Sequence, residues 1–181
     1  EHRKLAFEAM GGQLARDYAE IGRASDAVFV MVMNGTEDKE IILGENGLVA
    51  SMEKGGAILL TATIKPTEAR EIGAAMAGSG IDLIDSPVSG GFPGAQGGSL
   101  TLMAAAPADI LAKNRRVMEA VSKTIHHVGS DAGMGQTVKA CLQSLIGSIF
   151  SGTFEAAALA AKAGVSGDVL FNVLLCALEH Q

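Results

Sequence analysis

Apolar positions fall in blocks along this chain, separated by short polar or helical-looking segments. AVFVMVM (27–33) is an unbroken apolar run, which predicts a strand covered on both faces, as in a parallel sheet. Residues 57–61 predict a second such strand and IDLID (81–85) a third. Between them, TEDKEIIL (36–43) predicts a short helix with acids in its first turn, where the helix dipole favours them. PTEAREIGAAMAG opens on Pro66 and predicts another, proline being tolerated in a first turn. LTLMAAA (100–106), residues 107 to 121 and TIHHV (124–128) continue as strand, helix and strand. Strands and helices alternating through short connections are the pattern of βαβ units and a doubly wound sheet.

The ends of the chain read differently. EHRKLAFEAMGG (1–12) predicts a helix stopped by a glycine pair. From Gly133 to about residue 163 nothing favours a strand. Leu142, Leu145, Ile146, Ile149, Thr153, Ala156 and Ala160 step at helical spacing, and the opposite side is also poor in charge. A helix apolar nearly all round is expected to be buried on most sides. Residues 167–179 predict a second apolar helix. The expected division is an α/β part (1–129) and a helical part (130–181). The chain begins on a helix without a preceding strand and stops inside an apolar helical pattern, so both ends are expected to be truncated.

Composition narrows the class. With 48 % apolar residues a core is expected and disorder is not. The net charge of −6, with no basic cluster to offset it, argues against a sequence-independent grip on nucleic acid or an acidic membrane surface. No tract of about 18 apolar residues runs free of charge and glycine, so no membrane partner is expected. No basic, then apolar, then small-residue opening reads as a secretion signal. Cys141 and Cys176 belong to no C-x-x-C pair and read as reduced, buried small hydrophobes. His126 and His127 are adjacent and would face opposite ways on a strand. No carboxylate or thiolate stands at ligand spacing from them, so no metal is expected. The expected location is the cytoplasm, or a mitochondrion should a transit peptide precede Glu1.

Candidate chemistry concentrates at strand ends. DSPVSGGFPGAQGGSL (85–100) packs five of the chain's 23 glycines into sixteen positions. Ser89, Gly90 and Gly91 directly follow a strand, where open α/β sheets bind ligands. Successive glycines can turn backbone N–H groups towards one anionic oxygen, and they can equally well turn a corner. Lys139 sits near the start of a mostly apolar helix with Gln143 on the same face four residues on. Partial burial would lower its pKa into a range useful for proton transfer; the other reading is a solvated first-turn lysine. Met33 and Asn34 follow the first predicted strand and Thr63 the second, on one sheet edge, as ligand contacts or as polar turns.

Three segments carry a resemblance. DSPVSGGFPGAQGGSLTLM (85–103) is similar to the substrate-binding signature D-x-P-V-S-G-G … A-x-x-G-[ST]-L-T of the β-hydroxyacid dehydrogenase family, which includes 3-hydroxyisobutyrate and L-threonate dehydrogenases. GMGQTVKACLQ (133–143) resembles that family's G-x-G-x-x-x-K segment, and LLTATIKPTEAREI (59–72) its strand and proline-started helix beside the nicotinamide. The resemblance implies a partial Rossmann-type doubly wound sheet, then a long interdomain helix and the start of an all-helical domain. It implies NAD or NADP as cofactor and a small hydroxy acid as substrate. Lys139 would be the acid/base group, Ser89, Gly90, Gly91 and Gln143 would hold substrate, and Met33, Asn34 and Thr63 would contact the cofactor. A homo-oligomer is expected of the full-length protein.

Two departures qualify the match. Gln143 stands where the 3-hydroxyisobutyrate enzymes carry Asn, which is more like the threonate branch. The chain contains no G-x-G-x-x-G turn, nor the strands that flank it, so the pyrophosphate lacks the helix N-terminus it normally rests on. The competing readings are a truncated non-catalytic product, and a carboxylate- or phosphate-binding α/β module without redox activity.

Overall fold

The computed structural model describes residues 2–179; Glu1, which opens the first predicted helix, and residues 180–181 of the predicted helical part lie outside them. Strands β1 (Ala27–Val30), β2 (Ala57–Leu60) and β3 (Asp82–Asp85) lie side by side in parallel. The chain then forms a short strand, β4 (Val88–Ser89), and β5 (Leu100–Ala105), which is antiparallel to both β3 and β4. The last strand, β6 (Ser122–Gly129), pairs in parallel with β5.

The period of two along β2 explains the two cores. All four of its residues are buried. Ile58 and Leu60 face one cluster, with Val30, Ile42 of α3 (Gly35–Leu43), Leu48 of α4 (Leu48–Ser51), and Ala69, Ile72 and Met76 of α5 (Pro66–Met76). Leu59 faces the other, with Ile84, Leu102, Ala104, and Leu111 and Met118 of α7 (Ala108–Glu119). Helices thus cover both faces of a mostly parallel sheet, the doubly wound arrangement the apolar runs predict and the partial Rossmann type the resemblance implies. Two further helices precede β1, α1 (His2–Ala9) and α2 (Tyr18–Arg23).

The first strand departs from expectation. It stops at Val30, Phe29 is 36 % exposed and Met31 63 %, so the run 27–33 is not covered on both faces. β1 ends the sheet among the described residues, and an edge strand leaves one row of backbone groups and part of its faces open.

The glycine-rich stretch differs too. Residues that read as loop and turn form α6 (Gly91–Gln96), with Gly94 inside the helix and buried against Leu100. Gly90 precedes it at φ 126° and Gly91 opens it at φ 58°, conformations an L side chain rarely adopts.

The described chain forms two compact units, one running to Lys139 and the other from Ala140. The second holds the rest of α8 (Met134–Lys162) and α9 (Gly167–Glu179). Here the expected burial is wrong: Leu145, Ile149, Phe150, Phe154 and Leu159 are all more than half exposed, and Cys141 and Cys176 are exposed rather than buried. Within that unit two helices offer no further layer to cover them. The most apolar 18-residue window of α8 has mean hydropathy 1.3, so by length and composition α8 could cross a membrane.

Candidate functional site

Parallel strands deliver their carboxyl ends to one edge, so the segments after β1, β2 and β3 share it. After β1, Met33 is 85 % exposed. Asn34 caps α3: its Oδ1 accepts from the N–H of Thr36 (3.1 Å) and of Glu37 (3.0 Å), and its Nδ2 donates to Glu37 Oε1 (2.9 Å). The Met33 N–H donates to the other oxygen of Glu37 (3.0 Å). This reciprocal pairing fixes the course of the turn. After β2, Thr61 and Ala62 are buried while Thr63 is exposed. After β3, the chain runs through buried Ser86 and Pro87 to half-buried Ser89, then to exposed Gly90 and Gly91.

The amino end of α8 is drawn onto this edge by a buried polar cluster that no residue-level reading singled out. Asp85, the last residue of β3, is fully buried. Its Oδ2 accepts from the N–H of Gly133 (2.7 Å) and of Gln136 (3.3 Å), and its Oδ1 from Gln136 Nε2 (3.0 Å). Gln136, 1 % exposed, also donates through Nε2 to the Ala62 carbonyl (2.9 Å). Its Oε1 accepts from the Ile64 N–H (3.0 Å). One side chain therefore grips the backbone on both sides of Thr63. The approach is close: a Cβ at Gly135 would come within 2.6 Å of the Met103 carbonyl oxygen and 2.7 Å of that of Asp85. A signal was present in the sequence, an aspartate ending an apolar strand and a glutamine between a glycine pair and a lysine.

Burial pushes the Asp85 carboxyl upward, and the N–H donors of Gln136 and Gly133 pull it back.

Lys139 lies one turn beyond Gln136. Gly135, Gln136 and Lys139 are buried while Met134, Thr137, Val138 and Ala140 are not all covered with them, so the three share the covered face. Lys139 is 8 % exposed and, among the described residues, has no hydrogen-bond or ion-pair partner. Its pKa is lowered because burial penalises the ammonium and no carboxylate compensates. A neutral amine on that face can accept a proton. Gln143 is exposed and belongs to the second unit.

Among the described residues, two more buried polar side chains have no partner, Ser86 Oγ just after β3 and both carboxyl oxygens of Asp38 in α3. The Asp38 carboxyl is pushed up to about 7, chiefly by burial and then by the charges of Glu37 and Glu68.

The chain is 38 % identical over 149 residues to L-threonate dehydrogenase of Escherichia coli O6:H1, covering 82 % of this chain and 49 % of that protein. It is 36 % identical over 166 residues to NAD-dependent L-serine dehydrogenase of Pseudomonas aeruginosa, covering 92 % and 55 %. The crystal structure of 3-hydroxyisobutyrate dehydrogenase from Salmonella typhimurium superposes with a TM-score of 0.83 at 30 % identity, over 93 % of this chain and 59 % of that one. The chain spans about half the length of the curated relatives it matches. Residues 2–129, which supply the six strands found among the described residues, match the NAD binding domain of 6-phosphogluconate dehydrogenase, and to that family the chain belongs.

Proposed function

We propose that this chain is part of an NAD(P)-dependent oxidoreductase of small β-hydroxy acids, of the threonate or 3-hydroxyisobutyrate kind. The observation that carries the reading is Lys139, buried, unpartnered and anchored at the sheet edge where the segments after β1, β2 and β3 lie. The relatives, named as dehydrogenases of threonate, serine and 3-hydroxyisobutyrate, support the substrate class. In domain terms, residues 1–129 are the partial cofactor-binding part and residues 130–181 the connecting helix and the beginning of a helical domain.

The exposed residues suit the two nucleoside ends of the cofactor better than its centre. Met33 offers an open apolar surface for the adenosine side, on a turn that Asn34 holds in place. The exposed Thr63 hydroxyl suits a ribose on the nicotinamide side. No G-x-G-x-x-G turn in this chain serves the pyrophosphate. When bound, the nicotinamide supplies a hydride acceptor.

Ser89 Oγ and the N–H groups of Gly90 and Gly91 would hold the substrate carboxylate and hydroxyl. Lys139 Nζ, as the neutral amine, takes the hydroxyl proton as the C–H bond gives up its hydride and the C–O bond becomes a carbonyl. Desolvation fits this role, because it keeps the amine available below the ordinary lysine pKa of 10.5. The protein would act in the cytoplasm as a homo-oligomer.

The test is reduction of NAD+ and of NADP+ by the complete protein with L-threonate, 3-hydroxyisobutyrate and L-serine. One of the acids should support turnover, with a rate that rises with pH through a limb below the ordinary lysine value. A folded protein that reduces neither cofactor with any of them would overturn the reading.

A further inference from the structure

Gln136 makes hydrogen bonds in two directions at once, and no role in proton transfer needs them. Its amide accepts from Ile64 and donates to Ala62, which fixes the backbone either side of Thr63. The same Nε2 donates to Asp85, and Asp85 in turn holds the N–H groups of Gly133 and Gln136 at the start of α8. Every member is buried or backbone, so each bond is made in a low-dielectric setting where a lost partner leaves an unsatisfied group. α8 carries Lys139 one turn later, and the segment after β2 carries Thr63.

We propose that Gln136, backed by Asp85, is a positioning residue that locks the 62–64 segment and Lys139 to each other, so that the cofactor contact and the proton acceptor are presented as one unit. This rests on the roles given above to Thr63 and Lys139. Each anchor alone would leave the other free: Asp85 reaches the start of α8 but not the 62–64 segment. Among the described residues, only the Gln136 side chain hydrogen-bonds to both. A glutamine is suited to this because one planar amide offers an acceptor on one side and two donors on the other.

The test compares Gln136→Met, which keeps length but removes the amide, with Ile72→Val, a core change that removes no hydrogen bond and lowers stability by itself. Two readouts are taken on the complete protein. The first needs no turnover: the pH dependence of acylation of the Lys139 amine, located by mass spectrometry. In the native protein its midpoint should lie below the ordinary lysine range. In Gln136→Met it should rise towards that range, as the loosened first turn lets the ammonium reach water, while Ile72→Val leaves it in place. The second is steady-state kinetics. Gln136→Met should raise the KM for the nicotinamide cofactor and lower kcat together, with kcat/KM falling by about 10²-fold, the usual consequence of misplacing reacting groups by roughly 1 Å. Equal effects of the two substitutions on both readouts would reduce Gln136 to a structural residue and overturn the proposal. A native protein without dehydrogenase activity, but with the Lys139 midpoint moving only in Gln136→Met, would sink the proposed reaction while leaving the lock standing.

Discussion

Asp38 is a carboxylic acid with no hydrogen-bond partner among the described residues. It is fully buried, both of its oxygens lack partners, and Glu37 and Glu68 bring negative charge towards it. Holding the proton is the less costly state, so its pKa stands at about 7 against 3.8 for the free group. Because the folded value is the higher one, the folded state keeps the proton longer than the unfolded chain. The contribution to stability is therefore fully present below about pH 4, declines from there to about pH 7, and is gone above it. A difference of that size between the folded and the free carboxyl corresponds to something on the order of 4 kcal/mol. Asp38→Asn removes the titration while keeping the shape. Urea unfolding should show the substitution nearly neutral at pH 4 and increasingly stabilising up to pH 7. A native protein and an Asp38→Asn variant with parallel stability curves over that window would contradict the account of Asp38.

At the scale of elements, the junction of α8 with the sheet edge governs the site. Gly135 is there because nothing larger fits: an added Cβ would lie within 3 Å of the Met103 and Asp85 carbonyl oxygens and of Pro87 Cδ. These are backbone and ring atoms that cannot swing aside. Gly135→Ala should therefore lower stability by about 1–3 kcal/mol, the range for overpacking, and turn Lys139 away from its buried position. Thermal unfolding and the acylation midpoint of Lys139 check the two effects. An alanine tolerated without either would mean the junction is looser than described.

The elements themselves were largely legible, because β2 is an unbroken apolar run and α5 and α7 are introduced by prolines, Pro66 and Pro107. Lys139 was legible as a cation out of place in an apolar helix. The lock was not, since Asp85 and Gln136 lie far apart in sequence and only the crossover from β3 to α8 brings them together. Nor was the helical turn at Gly91–Gln96, where glycine content argued against helix but closure onto Leu100 decided for it.

Across the whole molecule, local pattern says least where a surface depends on distant neighbours. The sequence of α8 is that of a buried helix, yet Phe150, Phe154 and Leu159 are exposed, and the apolar run that begins β1 ends in exposed Met31 and Met33. Both expectations took apolar character as proof of a covering layer, which a strand at a sheet edge and a two-helix unit do not have. The proposed reaction rests on one side chain, Lys139, as the group that takes the substrate's hydroxyl proton. Lys139→Met, close in size and without charge, should leave the folded state and cofactor affinity intact and lower kcat for hydroxy-acid oxidation by about 10²–10⁴-fold, the range for losing a general acid/base. Retention of near-native kcat by that variant would contradict the claim.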